Sequence, residues 1–501
     1  MRAHAESDHP VCQYTTGKLY ETLPQASSKK QMADDPILII QMQRLGDIVL
    51  TYPLMGWLRH MYRDTPVWIL GEEAFYSELT ELSPSSVYFS YEAIPRLKAR
   101  RFSTVINLSH RPEAAEFAGS LVCDTLLGPY RAKDGRLHVR GNWQLYRTSL
   151  VHNNRYNLFH WADLHGLDLV PKALFSRTSW PLPRAIQATT SAHIGLFLGA
   201  SEPDKHPDER FWVELAGNLL QAGHRPVLLG GKAEKSLGAA VAKQLGAAPL
   251  NLTGHFSVSQ LCRFLAELDL MVTPDTGPMH LAAWTGTPVL NISTGPVNAW
   301  ETGPFSPGHY VLRASLPCVN CWQCTQGNVI CKERLHAGRT AFLIHELMAR
   351  KEDGLPRLNL PGQELLVTAR DDSGLYLLRQ LTGQEQSRQV TARFWQAFFG
   401  HSFGLLPEEK LALAWKMFIE ASPGNATAFA SSLIQIGRSL AEGLKPLQSS
   451  AVRTIDFWRQ YPLPLRPLTS YIHMLLQNDV FSKASFARAL ELVERLAALE
   501  R

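Results

Sequence analysis

The densest chemistry in this 501-residue chain lies between Met271 and Phe305. An apolar run, Leu268 to Val272, stops at Thr273-Pro274 and delivers Asp275-Thr276-Gly277-Pro278, after which Met279 to Trp284 reads as a short helix. A helix start offers unpaired backbone N–H groups to an anion, and Asp275 can accept from sugar hydroxyls. Asp275 or Thr276 can equally cap the helix. Lys205, in the polar loop Glu202 to Asp208, is a cation for a diphosphate or a solvated surface lysine. Gly230-Gly231 permit close backbone approach, and Glu234 can accept from ribose hydroxyls or serve as a helix-start carboxylate. Asp47, behind Gly46, can take the proton of an acceptor hydroxyl or act as an N-cap. No Asp-x-Asp pair marks a diphosphate-bound metal, and the first turn is neither a G-x-G-x-x-G nor a Walker loop, against a dinucleotide enzyme or an ATPase.

These residues need strand ends to hold them. Pro36 to Met42 is an apolar run of strand length, followed by the turn of Asp47 and by helical spacing from Ile48 to Tyr62. Strands are expected at Val67 to Leu70, Val87 to Ser90 and Thr104 to Leu108, in a doubly wound parallel sheet. From Leu126 to Leu182 the pattern weakens, and Trp143, Tyr146, Tyr156, Phe159 and Trp161 read as packing or as an acceptor surface. After a linker at about 180 to 191, His193 to Ser201, Pro226 to Leu229 and Leu250 to Thr253 open a second unit of the same kind. The fold class is therefore α/β, two Rossmann-like units facing a cleft, in the division 1–35 extension, 36–187 acceptor unit, 188–338 nucleotide unit and 339–501 accessory unit. In the last, Phe342 to Met348 reads as a helix crossing back to the first unit and Gly354 to Gly362 as a linker. Glu364 to Ala369 with Leu375 to Leu381 reads as a hairpin, and helices follow from Thr391.

A composition of 45% hydrophobic and 19% charged residues fits sizeable cores rather than disorder. The net charge of +5 comes without long basic runs, so no nucleic-acid partner is expected, while an anionic substrate or membrane surface is compatible. No apolar stretch has the length of a spanning helix and the N-terminal residues lack a signal-peptide core, so the chain reads as cytoplasmic, with peripheral contact at the inner membrane compatible. Four of seven cysteines, Cys318, Cys321, Cys324 and Cys331, form a cluster that reads as a structural zinc or iron site or as reduced thiols.

The turns together resemble glycosyltransferase family 9, the ADP-heptose:lipopolysaccharide heptosyltransferases. The matching motifs are Arg44-Leu45-Gly46-Asp47 with Pro53, Gly199-Ala200-Ser201 with Lys205, Pro207 and Phe211, and Gly230-Gly231 with Glu234. The last runs from Asp275 to His280 and is followed by Gly295-Pro296 and Gly303-Pro304. The resemblance spans about residues 36 to 335 and implies a GT-B fold, a nucleotide-sugar donor and an inverting transfer that requires no cofactor. By it, Asp47 is the base and Lys205 the diphosphate anchor. Gly46, Ser201, Gly230, Gly231 and Glu234 contact the donor, as do Asp275, Thr276, Gly277, Pro278 and His280, and Phe256 sits where adenine meets the backbone. The family's four-cysteine run has a longer second gap than this one. The implied donor is ADP-heptose and the acceptor a glycolipid or glycan. Rival readings are a nucleotide-sugar epimerase on this fold, a transferase for a protein acceptor, and a non-catalytic, metal-stapled binding protein.

Overall fold

The computed structural model describes residues 35–84, 87–324, 326, 328–349, 360–383, 386–445 and 451–499. The expected N-terminal extension, apart from Asp35, and most of the expected Gly354 to Gly362 linker lie outside them.

Four consecutive large aliphatics, Ile37 to Ile40, leave neither face of a strand fit for water, and β1 (Ile37–Gln41) is the buried centre of a parallel sheet. Ile37 and Ile39 pack into one core with Leu54 and Trp57, whereas Leu38 and Ile40 face Phe102, Val105 and Phe117 on the other side. The other strands are β2 (Val67–Gly71), β3 (Val87–Phe89), β4 (Arg101–Asn107), β5 (Val122–Arg131) and β6 (Leu137–Arg140), in the order β3-β2-β1-β4-β5-β6 with only β6 antiparallel. The order reverses at β1, which opens a ligand crevice beyond its carboxyl end. The expected helix from Ile48 to Tyr62 is two helices, Leu45–Val49 and Tyr52–Met61. Pro53, without an N–H and crowding the carbonyl four residues back, forbids continuity through that point.

The second sheet repeats the plan. Its strands are β7 (His193–Phe197), β8 (Arg225–Leu229), β9 (Leu250–Asn251), β10 (Leu270–Thr273), β11 (Val289–Ser293) and β12 (Tyr310–Ala314), and the order reverses between β7 and β10. The hairpin of β13 (Gln363–Arg370) and β14 (Tyr376–Gln380) then pairs antiparallel along β12, with Tyr310 opposite Val367. Two strands expected in an accessory unit thus extend the nucleotide unit's sheet. The helix Ala337–Ala349, expected to cross back to the first unit, instead packs on the second, because Leu343, Ile344 and Leu347 share a core with Trp212, Leu215 and Leu219.

From Ser387 onward the chain is helical, around Phe394, Trp395, Phe418 and Phe429. This bundle is bolted to the first unit. Phe399 lies 4.8 Å from Tyr146 and Phe403 lies 5.0 Å from Trp143, ring centre to ring centre. Asn478 accepts from the Val139 N–H (2.6 Å) and donates to its carbonyl (3.2 Å). Of the aromatics in the weakly patterned segment, Trp143, Tyr146, Tyr156 and Phe159 are buried, and Trp161 is half-buried. Among the described residues no helix is long and apolar enough to cross a membrane.

Candidate active site

Asp47 stands in the first turn of Leu45–Val49, immediately beyond β1 at the reversal of the first sheet. Arg44, not Asp47, holds the N-cap position, so the capping role is not the one observed. The turn is held from below: Gln41, buried at the end of β1, donates to the Thr51 hydroxyl (3.3 Å), and that hydroxyl donates to the Asp47 carbonyl (2.8 Å). Burial pushes the Asp47 carboxyl above its ordinary value, while the Arg44 backbone and the Arg147 and Arg44 guanidinium groups pull it back. Arg147 is buried on the helix Asn142–Ser149, with Nη2 donating to the Leu108 carbonyl (3.1 Å) and Nη1 3.3 Å from His165 Nε2. Burial lowers it to about 10 despite Asp47 and Asp168, so it stays charged near neutrality. Its segment carries no sequence signal for this role.

Asp275 follows β10 at the reversal of the second sheet. Thr276 is the N-cap of Gly277–Trp284 by position, yet neither side chain caps the helix, and Asp275 instead accepts from the Thr302 hydroxyl (2.8 Å). Burial pushes Asp275 up to about 6; Thr302 and Lys205 oppose the rise and Asp47 adds to it. The two carboxylates and Lys205 thus share one electrostatic site. His280 Nε2 lies 3.8 Å from Asp275 Oδ1, but burial lowers His280 to about 4, so the contact is not an ion pair near neutrality. His280 Nδ1 has no partner among the described residues. Gly46 and Gly277 allow this meeting, since a Cβ on Gly277 would stand 2.6 Å from Leu45 Cδ2. Pro278 occupies the first turn of the same helix.

Lys205 ends the turn Pro203–Lys205 beyond β7, half-buried, with Nζ 2.9 Å from Glu202 Oε1. Ser201 is exposed in the same loop. Lys332 Nζ and the Thr294 hydroxyl anchor this loop by donating to the Pro203 and Asp204 carbonyls (2.9 and 2.8 Å). Gly230 and Gly231 follow β8, and Glu234 Oε2 accepts from the Gly231 N–H (2.7 Å), the helix-start use of that carboxylate. Its Oε1 lies where a Cβ on Gly199 would fall, so Glu234 spans the ends of β7 and β8. Phe256, half-buried beyond β9, packs on Phe264 at 5.0 Å.

A second carboxyl joins the units. Glu301 is buried beside Thr302 and accepts from the Nδ2 groups of Asn154 (2.7 Å) and Asn157 (2.9 Å) of the first unit. Asn298 Nδ2 donates to both of their carbonyls. Burial pushes Glu301 up to about 8, so it is largely protonated at neutral pH. None of Thr302, Glu301, Asn154 and Asn157 stands in a recognisable motif.

The four cysteines lie near the Gly295-Pro296 turn. Cys331 Sγ accepts from the Gly295 N–H (3.1 Å), and Asn320 and Trp322 between them take left-handed backbone. The thiols are near enough for Cys318, Cys324 and Cys331 to raise Cys321, after burial, to about 11. Among the described residues no three His, Cys, Asp or Glu side chains gather as a ligand set. Between Cys324 and Cys331, Thr325 and Gly327 lie outside the described residues.

With the two turns opposed across a seam, residues 142–329 match the glycosyltransferase family 9 (heptosyltransferase) domain. This segment of the chain is similar to glycosyltransferase family 9. Lipooligosaccharide heptosyltransferase 2 of Campylobacter jejuni subsp. jejuni serotype O:6 is 29% identical over 294 residues, 56% of this chain and 88% of that relative. The serotype O:2 protein of the same name is 30% identical over 137 residues, so the chain spans only 43% of that relative in the match, and 26% of its own length. Among solved structures, a family 9 glycosyl transferase from Veillonella parvula aligns with TM-score 0.49 and 18% identity, covering 64% of this chain and 99% of that one. ADP-heptose lipopolysaccharide heptosyltransferase II of E. coli aligns with TM-score 0.48 and 19% identity, covering 63% and 99%. The family 9 match ends before the hairpin and the helical bundle.

Proposed function

We propose that this glycosyltransferase moves a heptose from ADP-heptose to a saccharide of a lipopolysaccharide core, with inversion and without a catalytic metal, at the cytoplasmic face of the inner membrane. The observation that carries the reading is the meeting of the Asp47 and Asp275 turns, from opposite sheets, with Lys205 felt by Asp275. Asp47 takes the proton of an acceptor hydroxyl as its oxygen attacks the anomeric carbon, and the C–O bond to the diphosphate breaks on the opposite side. Lys205, helped by N–H groups at Gly230, Gly231 and the start of Gly277–Trp284, holds the negative charge that grows on departing ADP. Asp275 and Thr276 take the donor's sugar hydroxyls, with His280 neutral behind them. Glu234 Oε1 and the backbone at Phe256 receive the ribose and adenine.

Turnover across ADP-, UDP- and GDP-sugars, with and without a chelator, tests this. ADP-heptose consumption that needs acceptor and survives chelation is expected. Exclusive use of UDP- or GDP-sugars would overturn the donor, and epimerised donor without acceptor would favour the epimerase. The cysteine run is proposed as a structural zinc or iron site that requires its loop to tighten; less than one metal per two chains after chelator-free purification would refute it.

A further inference from the structure

A cavity of about 410 Å³ opens where three parts of the chain meet: the first unit's loop at Arg155 and Tyr156, Pro317 ahead of the cysteines, and the first turn of Ser387–Ser402. Neither the motifs nor the matched family region reaches Ser387–Ser402. Arg388, at the second position of that helix, lines the cavity although its residue is only 6% exposed. Its Nη1 donates to the Arg155 carbonyl (3.2 Å), but Nε and Nη2 have no acceptor among the described residues. A guanidinium keeps its charge and presents five N–H groups in a fixed fork, so buried donors left without acceptors are costly.

The surroundings deepen the imbalance. Arg155 donates through Nη2 to the Pro317 carbonyl (2.7 Å), and its Nε also has no partner among the described residues. Glu364, which faces the group, is already 2.5 Å from Arg313, the third guanidinium. Burial and the charges of Arg313 and Arg155 push Arg388 down to about 9, although Glu364 opposes them. Arg388 also sits at the positive end of a 16-residue helix whose first turn holds no acidic residue, where a cation is unfavourable unless an anion answers it.

We propose that this cavity binds an oxyanion, a phosphate or carboxylate carried on a saccharide, between the guanidinium groups of Arg155 and Arg388 and the first-turn N–H groups of Ser387–Ser402. Planar guanidinium forks suit both oxyanions. The volume falls within the roughly 300–1,000 Å³ of small-molecule sites and exceeds what one free ion fills. The saccharide rests on the glycosyl-transfer reading; the oxyanion does not. Asn154 and Asn157 flank Arg155 and hold Glu301, whose neighbour Thr302 donates to Asp275, so hydrogen bonds link the cavity's loop to the Asp275 turn.

The test uses the full chain, with ADP saturating so that oxyanions cannot enter the nucleotide cleft, and repeats each titration without ADP. Inorganic phosphate, glucose 6-phosphate, glucuronate and neutral glucose are titrated calorimetrically. Glucose 6-phosphate or glucuronate is expected to bind at least 5-fold tighter than phosphate, with glucose silent. Arg155→Gln, in a half-buried loop, should weaken that binding at least 10-fold and leave ADP affinity within 2-fold; Arg388→Gln should do the same if it folds. Oxyanion binding unchanged in Arg155→Gln would overturn the site, and phosphate binding as tightly as the sugar phosphate would overturn the saccharide. Loss of ADP binding in the wild type would defeat the nucleotide reading, while the Arg155 dependence would still be read without ADP.

Discussion

Gly46 and His280 touch across the seam between the two sheets: a Cβ on Gly46 would stand 3.0 Å from His280 Cδ2. The turn that carries Asp47 and the helix that begins after Asp275 are therefore closely apposed, with no room for a side chain at Gly46 unless His280 shifts.

Gly46→Ala should push the turns apart by a few tenths of an ångström. Because small misplacements of reacting groups are expensive, kcat should fall about 10-fold or more with stability nearly unchanged. Single-turnover kinetics and thermal unfolding check it; wild-type kcat would show that the contact does not set the geometry.

Asp47→Asn removes the proposed base while keeping shape. Transfer should drop roughly 10²- to 10⁴-fold with ADP affinity within 2-fold. Lys205→Ala should weaken ADP and lower turnover together, if the lysine meets the diphosphate before and during departure as proposed. Calorimetry with ADP beside initial rates separates the two, and the assignment fails if the patterns are exchanged.

Arg147→Gln removes a buried cation that helps keep Asp47 ionised. Asp47 should then hold its proton to higher pH, so the acidic limb of kcat/KM should move up by about one pH unit. A purely structural role would lower activity equally at all pH values.

Glu301 titrates near 8 in the folded chain and near 4.5 when unfolded. The folded state thus binds the extra proton, and the stability that Glu301 supplies is complete below about pH 4.5 and is lost as pH rises toward 8. Glu301→Gln stays neutral throughout, so it should gain on wild type as pH rises from 5 to 8, by roughly 3–4 kcal/mol given about 1.4 kcal/mol per pKa unit. Denaturant melts at pH 5 and 8 decide it; parallel profiles for the two proteins would contradict the shift.

Phe399→Ala should cost about 3–5 kcal/mol, as for other buried aromatic deletions, because its ring fills the seam between the helical bundle and Tyr146. If that seam couples the parts, unfolding stays a single transition at a lower denaturant midpoint. An undisturbed midpoint would mean the bundle docks elsewhere.

Local order carried much of this protein into view from sequence. Ile37 to Ile40 and Leu270 to Val272 read as strands buried on both faces, and the polar turns after such strands lie at carboxyl ends, so Asp47, Lys205, Gly230 and Asp275 were legible as candidates. Chain-local patterns could not say what β13 and β14 would pair with, because a hairpin is the same hairpin alone or at a sheet edge; the open edge of β12 decided it. Nor could they find Arg147, Glu301 or Thr302. Arg147 stands 100 residues from Asp47, and Glu301 matters only because burial suppresses its charge beside two asparagines about 145 positions earlier. Which residue types sit at strand ends is written in the order of the chain, whereas burial, electrostatic coupling and the meeting of Gly46 with His280 arise only when the two sheets close.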